Sequence, residues 1–210
     1  MKEASSRTAL PGLSLLSLLV IVACNQQQAE NSAAPKPPDP PAVTAAVEPA
    51  TPASPLAKAA IRGDVAEVMT LLTSGADVNV TDALGRTPLH MASFYGRTKV
   101  TEVLLSKGAQ IEARDRIGMT PLHAAVLAGT RPEIELLLDK KADVKAASDA
   151  GQTPLHLAAA TGQPKIARLL IERGADPQSK DKDDKTPLFY ASRNRHPVTT
   201  ELLQGYVAKK

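Results

Sequence analysis

The stretch GRTPLHMASFYGRTKVTEVLLSKGAQIEARDRIGMTPLH, residues 85–123, closes on the four letters TPLH that stand near its start. TPLH begins at Thr87, Thr120 and Thr153, and TPLF at Thr186, so the spacing is 33 residues throughout. A fixed period of about 20 to 50 residues marks a stacked array, in which each unit buries its apolar face only against its neighbours. That period has to be read before any single helix or strand.

Each unit carries the same parts. Thr precedes a Pro that suits the first helical position, because its φ is already helical and its missing N–H would be unpaired there. A short helix follows (PLHMASFYG, PLHAAVLAG, PLHLAAATG), with small Ala or Ser where neighbouring units must approach closely. Gly96, Gly129 and Gly162 end it, where a left-handed residue is useful. A second helix, such as TKVTEVLLSKG, spaces its Val and Leu residues three to four apart, and GAQIEARDRIG closes the unit as an extended turn.

On these residues the chain resembles the ankyrin repeat family: GRTPLHMA, GMTPLHAA and GQTPLHLA match the family's G-x-T-P-L-H-x-A. The resemblance covers residues 54 to about 207 and implies an all-α solenoid of helix-turn-helix units joined by β-turn loops. Five units are expected, at about 54–81, 82–114, 115–147, 148–180 and 181–207, the first and last being caps. The pattern has departures. Lys141 stands where a helix-ending Gly is expected, Pro177 replaces the usual aliphatic residue, and the last unit has Asp184, Phe189 and Arg195 for Gly, His and Gly. Lys141 and Pro177 question the local geometry, whereas a degenerate last unit is expected of one with no neighbour on one side.

Composition agrees with a helical array. Aromatics are 2%, Trp is absent and charged residues are 22%, which argues against an all-β sandwich or barrel. The formal charge is only +3, with basic and acidic residues interleaved, so binding of a nucleic acid is not expected.

The first quarter is different. Lys2 and Arg7 precede ALPGLSLLSLLVIVA, residues 9–23, a run too short and too interrupted for the roughly 20 apolar residues of a membrane-spanning helix. It suits the apolar segment of a secretory signal, expected over residues 1–23. It closes on Ile21-Val22-Ala23-Cys24, which resembles the lipobox of bacterial lipoproteins. That resemblance implies that Cys24, the only cysteine, carries lipid and becomes the mature N-terminus; the alternative is one more small apolar residue in a signal or membrane helix. At about 0.8 kcal/mol per buried CH₂, two or three acyl chains make a lasting anchor. Residues 24–53 are rich in Pro and Ala, without apolar periodicity, and read as a disordered spacer. The expected location is the bacterial cell envelope, lipid-anchored and facing the periplasm, with the outer membrane favoured over the inner because Asn rather than Asp follows Cys24.

Candidate chemistry is sparse. His90, His123 and His156 lie in TPLH, and the resemblance implies a hydrogen-bonding role tying each turn to the adjacent unit, not ligation of a metal. His196, beside Pro197, is expected to be exposed. Asp181, Asp183 and Asp184 sit among Lys180, Lys182 and Lys185 and read as a solvated charged tip. No G-x-S-x-G, P-loop or H-E-x-x-H motif occurs, so no catalytic residue, metal or cofactor is assigned and the chain is not expected to be an enzyme.

What remains is surface. In the family, turn tips and inner helices form a concave face for a protein partner, and residue by residue this carries over to Leu84, Arg86, Phe94, Tyr95, Arg114, Arg116, Ile117, Leu127, Thr161 and Arg193. Phe94 and Tyr95 are adjacent, and aromatic and Arg side chains together are the usual composition of a binding hot spot. Packing of Phe94 against the next unit is the competing assignment. The expected function is protein binding by a lipid-anchored array. Three roles stay open: an inhibitor or immunity protein for a periplasmic toxin or lytic enzyme, a scaffold tethering an envelope enzyme or complex, and an enzyme using the Asp181 to Asp184 turn or His196, which nothing beyond the presence of those residues supports. Membrane contact through Cys24 and one protein partner are expected, without a small-molecule substrate.

Overall fold

A computed structural model describes residues 54–208. The expected signal segment, Cys24 and the Pro/Ala spacer, all within residues 1–53, lie outside the described residues. Ten helices are described: α1 Pro55–Arg62, α2 Val65–Thr73, α3 Pro88–Phe94, α4 Thr98–Ser106, α5 Pro121–Ala128, α6 Arg131–Asp139, α7 Pro154–Ala160, α8 Pro164–Glu172, α9 Pro187–Arg193 and α10 Pro197–Val207. They pack as five successive antiparallel pairs, and no strand occurs among the described residues.

The TPLH letters start the first helix of a unit by a specific device. Thr87 is extended, with φ −86° and ψ 166°, and Pro88 opens the helix. The Thr87 amide donates to His90 Nδ1 at 3.1 Å, and the His90 amide donates back to Thr87 Oγ1. Two of the donors that every helix start leaves unpaired are thereby satisfied. Thr120 with His123 and Thr153 with His156 repeat this capping box.

Packing follows the period. Ala59, Ala92, Ala125, Ala158 and Ala191, one per unit, are completely buried. This is the column where first helices approach, and a larger side chain there would overpack it. Leu104, Leu137, Leu170 and Leu203 form a second fully buried column on the second helices. Removing one such leucine side chain would cost about 2–5 kcal/mol.

The departures leave the frame intact. Lys141, Asp184 and Arg195 are the non-glycine residues with left-handed backbone, at φ 73°, 58° and 61°, so each adopts the conformation of the glycine it replaces. A Cβ is tolerated at each for a reason of space. At Gly75, Gly108 and Gly174, which match Lys141, an added Cβ would meet nothing within 4 Å. At Gly118 and Gly162, interior counterparts of Asp184 and Arg195, it would come within 2.4 Å of Asp149 Oδ1 and of His196 Nδ1. Asp184 and Arg195 lie in the fifth unit, on which no further unit packs among the described residues. Pro177 leaves its turn unchanged, because the turn's hydrogen bonds run from the amides of Gln178 and Ser179 to Asp176.

Candidate protein-binding face

The turns between units are tight, and their acids point inward. In each, the first residue's amide donates to the last residue's carbonyl: Asp82 to Arg86, Asp115 to Met119, Ser148 to Gln152 and Asp181 to Lys185, all at 2.9–3.0 Å. Asp82 Oδ1 accepts from the amides of Leu84 and Arg86, Asp115 Oδ1 from Ile117 and Met119, and Asp181 Oδ1 from Asp183 and Lys185. Successive turns are tied into a row, since Arg116 N–H donates to the Leu84 carbonyl, Asp149 N–H to Ile117 and Lys182 N–H to Ala150.

That row presents apolar tips. Leu84 and Ile117 are 47% and 46% exposed, and Tyr95, at the end of α3, is 46% exposed. Phe94 is half-buried and meets the Tyr95 ring edge-on at 5.3 Å, so it supports Tyr95 more than it offers its own surface. Arg114 and Arg116 are exposed, and neither forms an ion pair among the described residues. Arg114 Nη1 only touches the Gly118 carbonyl, at 3.3 Å.

Other expected contact residues are placed differently. Arg86 is not free, because its Nε and Nη2 both bond Asp82 Oδ2, at 2.8 and 2.7 Å. Burial raises the Asp82 carboxyl, but Arg86 outweighs this and holds it below its ordinary range. Leu127 and Thr161 are each only 6% exposed, which removes them from the candidate surface. Both sit where the first helix of the next unit packs alongside. Thr161 holds the register of Tyr95, but its short side chain bonds the Leu157 carbonyl at 2.7 Å instead of reaching outward. Arg193 is exposed but lies in the last unit, where it and Lys185 flank the Phe189 ring, at 6.0 and 4.7 Å.

The three TPLH histidines bridge units. Nε2 of His90, His123 and His156 meets the carbonyls of Met119, Gln152 and Lys185 at 3.0–3.1 Å. Each Nδ1 accepts an amide, so each Nε2 carries the proton and each ring is neutral. Burial pushes all three below the usual histidine value, and His123 down to about 4.

Two expectations are corrected. His196 is half-buried, its Nε2 on the Ala160 carbonyl at 3.0 Å and its ring against Gly162, so it is a packing residue. Asp181 is buried rather than part of a solvated tip. Tyr190 Oη donates to its Oδ2 at 2.5 Å and accepts from Gln152 Nε2 at 2.9 Å. Burial raises the Asp181 carboxyl, but these bonds and the turn amides hold it low, while burial and Asp181 push the Tyr190 hydroxyl up to about 12.

A ladder running the other way was not anticipated. Arg97 Nε donates to the Ile61 carbonyl and Thr130 Oγ1 to the Ser93 carbonyl, each reaching back to the preceding unit as His196 does. All three follow the glycine position that ends a first helix, and aligning the units would have exposed the register. Among the described residues no three His, Cys, Asp or Glu side chains are placed to hold a metal ion, and no helix is long and apolar enough to cross a membrane.

Comparison with known proteins adds one match. A family model described as "Ankyrin repeats (3 copies)" matches residues 32–115, 112–181 and 146–209. No curated protein matches significantly.

Proposed function

Because the chain belongs to the ankyrin repeat family, whose repeats bind protein partners, we propose that it is a lipid-anchored protein-binding array whose partner rests on the row of turns at units two and three. The observation that carries this reading is the exposure of Leu84 and Ile117 on turns joined through the Arg116 amide, and of Tyr95 at the end of α3, while the carboxylates of Asp82 and Asp115 are turned into their own turns. Apolar side chains beside arginines that form no ion pair among the described residues suit a partner segment with apolar residues flanked by carboxylates. On the family's architecture this row lies on the concave face.

Cys24 supplies the anchor in this reading, through the lipobox Ile21-Val22-Ala23-Cys24, and places the array on the periplasmic side of the envelope with the outer membrane favoured. Residues 24–53 act as the spacer. The role we favour is inhibition of a toxin or lytic enzyme, which needs one tight partner. A scaffold would instead hold several proteins loosely.

The test is affinity capture after in-cell crosslinking with the full-length tagged protein, comparing wild type with Tyr95→Ala. One stoichiometric partner is expected, with affinity reduced about 30-fold in the variant, the scale of a hot-spot residue. Several weak partners would favour the scaffold, and a partner indifferent to Tyr95 would overturn the face. Metabolic labelling with palmitate tests the anchor separately: Cys24→Ser should abolish it, and unchanged labelling would refute lipidation.

A further inference from the structure

Val100, Glu133, Ile166 and Thr199 occupy one register in units two to five, and all four are buried. Unit three therefore places a carboxyl where its two interior neighbours place an aliphatic side chain. Thr130-x-x-Glu133 has the letters of a capping box, which would turn the carboxyl back onto the Thr130 amide. That amide donates instead to the Ala125 carbonyl, and Glu133 reaches across to unit two.

Its Oε1 accepts from Thr101 Oγ1 of α4 at 2.5 Å. The Ser93 hydroxyl, at the end of α3, acts on the same carboxyl, but neither Ser93 Oγ nor Glu133 Oε2 completes a hydrogen bond. Ser93, Thr101 and Glu133 are all completely buried. Among the described residues no cation serves the carboxyl. On α6, Arg131 is paired with Glu135. On α4, Lys99 is exposed and Glu102 adds a like charge. His90 of α3 and His123 of α5 are committed to the Met119 and Gln152 carbonyls, and Lys165 and Arg168 of α8 are exposed. Burial raises the carboxyl to about 6, the two hydroxyls opposing and Glu102 reinforcing it.

We propose that the joint between units two and three is a proton-operated clasp. When Glu133 is neutral, no uncompensated charge is buried, its O–H donates to the Ser93 hydroxyl and the joint closes. When Glu133 is ionised, a buried charge without a cation loosens the joint. The consequence for binding rests on the reading above: Leu84 and Tyr95 belong to unit two and Arg116 and Ile117 to unit three, so the patch is held in one geometry only while the clasp is shut. The clasp itself does not depend on that reading.

Hydrogen exchange of the full chain tests it, with wild type and Glu133→Gln compared between about pH 4 and pH 8 and corrected for intrinsic rates. The two proteins should protect α4 and α6 equally at the acid end. As pH rises, wild-type protection should fall behind that of Glu133→Gln by up to about 30-fold, the factor that follows from raising a carboxyl from 4.5 to about 6. Helices α8 and α9, past the Ile166 joint, should not share the change. A ratio independent of pH, or a change spread evenly over all units, would overturn the clasp. Carbon-detected titration of the Glu133 carboxyl in the wild type is a second measure, and an ordinary midpoint near 4.5 would overturn it as well. A titrating joint whose Tyr95-dependent partner is captured equally at both ends of the range would overturn only the link to binding.

Discussion

Units two to four and unit five share one frame, but they differ at the positions that another unit would touch. Interior first helices carry His90, His123 and His156, each bonded to the next turn, while the last carries Phe189, whose ring lies against Lys185 and Arg193. Interior turns carry glycine where the last carries Asp184. The difference teaches that much of the repeat signature serves the neighbour: TPLH caps its own helix through Nδ1 but joins the array through Nε2, and the turn glycine is required as much by the space the next unit takes as by its own backbone. Where no next unit packs, the requirement lapses.

Three measurements can break or sharpen that contrast, each read as unfolding free energy from urea titration. His123→Ala should cost most, about 4 kcal/mol, because it opens a cavity and strands the Gln152 carbonyl and the Thr120 amide. Phe189→Ala should cost under about 1 kcal/mol. Equal losses would mean that the bridge is no more than local packing.

Acid should act on the same bridges. The three histidines titrate below the unfolded value of 6.5, so the unfolded chain binds more protons as pH falls. Their contribution is fully present above 6.5 and is lost as pH falls toward about 4, with His123 alone accounting for at most about 3 kcal/mol. Glu133 runs in the opposite sense, since its raised carboxyl favours the folded state below 4.5 and loses that contribution as pH rises through about 6. Burial raises the Glu112 carboxyl as well, so the double variant Glu112→Gln, Glu133→Gln isolates the histidines between about pH 6.5 and 4, and a flat profile there would refute neutral bridges.

The smallest effect is at the turns. Gly118→Ala should cost about 2 kcal/mol, from the left-handed backbone and from crowding the Asp149 amide at 2.7 Å. Asp184→Gly should instead stabilise by about 0.5 kcal/mol. Destabilisation by both would show that Asp184 has a purpose of its own.

The frame was legible because its causes are local or strictly periodic. Thr-Pro starts, small residues at Ala92 and Ala125, and glycines at helix ends can be read from single letters and from the spacing between them. The face was only partly legible. Tyr95, Leu84 and Ile117 are readable as exposed, but Leu127 and Thr161, in the registers of Phe94 and Tyr95, are covered where the next unit packs. Arg86 looked like a free cation because its tie to Asp82 depends on the turn closing. Glu133 is not legible as a joint residue, since its letters describe a helix cap while its partners, Ser93 and Thr101, come from the unit before.

The forward bridges from the histidines and the backward reach of Arg97, Thr130 and His196 have a mechanical consequence. Every clasp joins only adjacent units, and among the described residues no further unit packs on α9 and α10. Tension along the chain therefore strips the array from its end, one unit at a time, and each 33-residue unit released yields on the order of 110 Å of extended chain. Pulled between its two ends, the array would give way in small steps, as a shock absorber does.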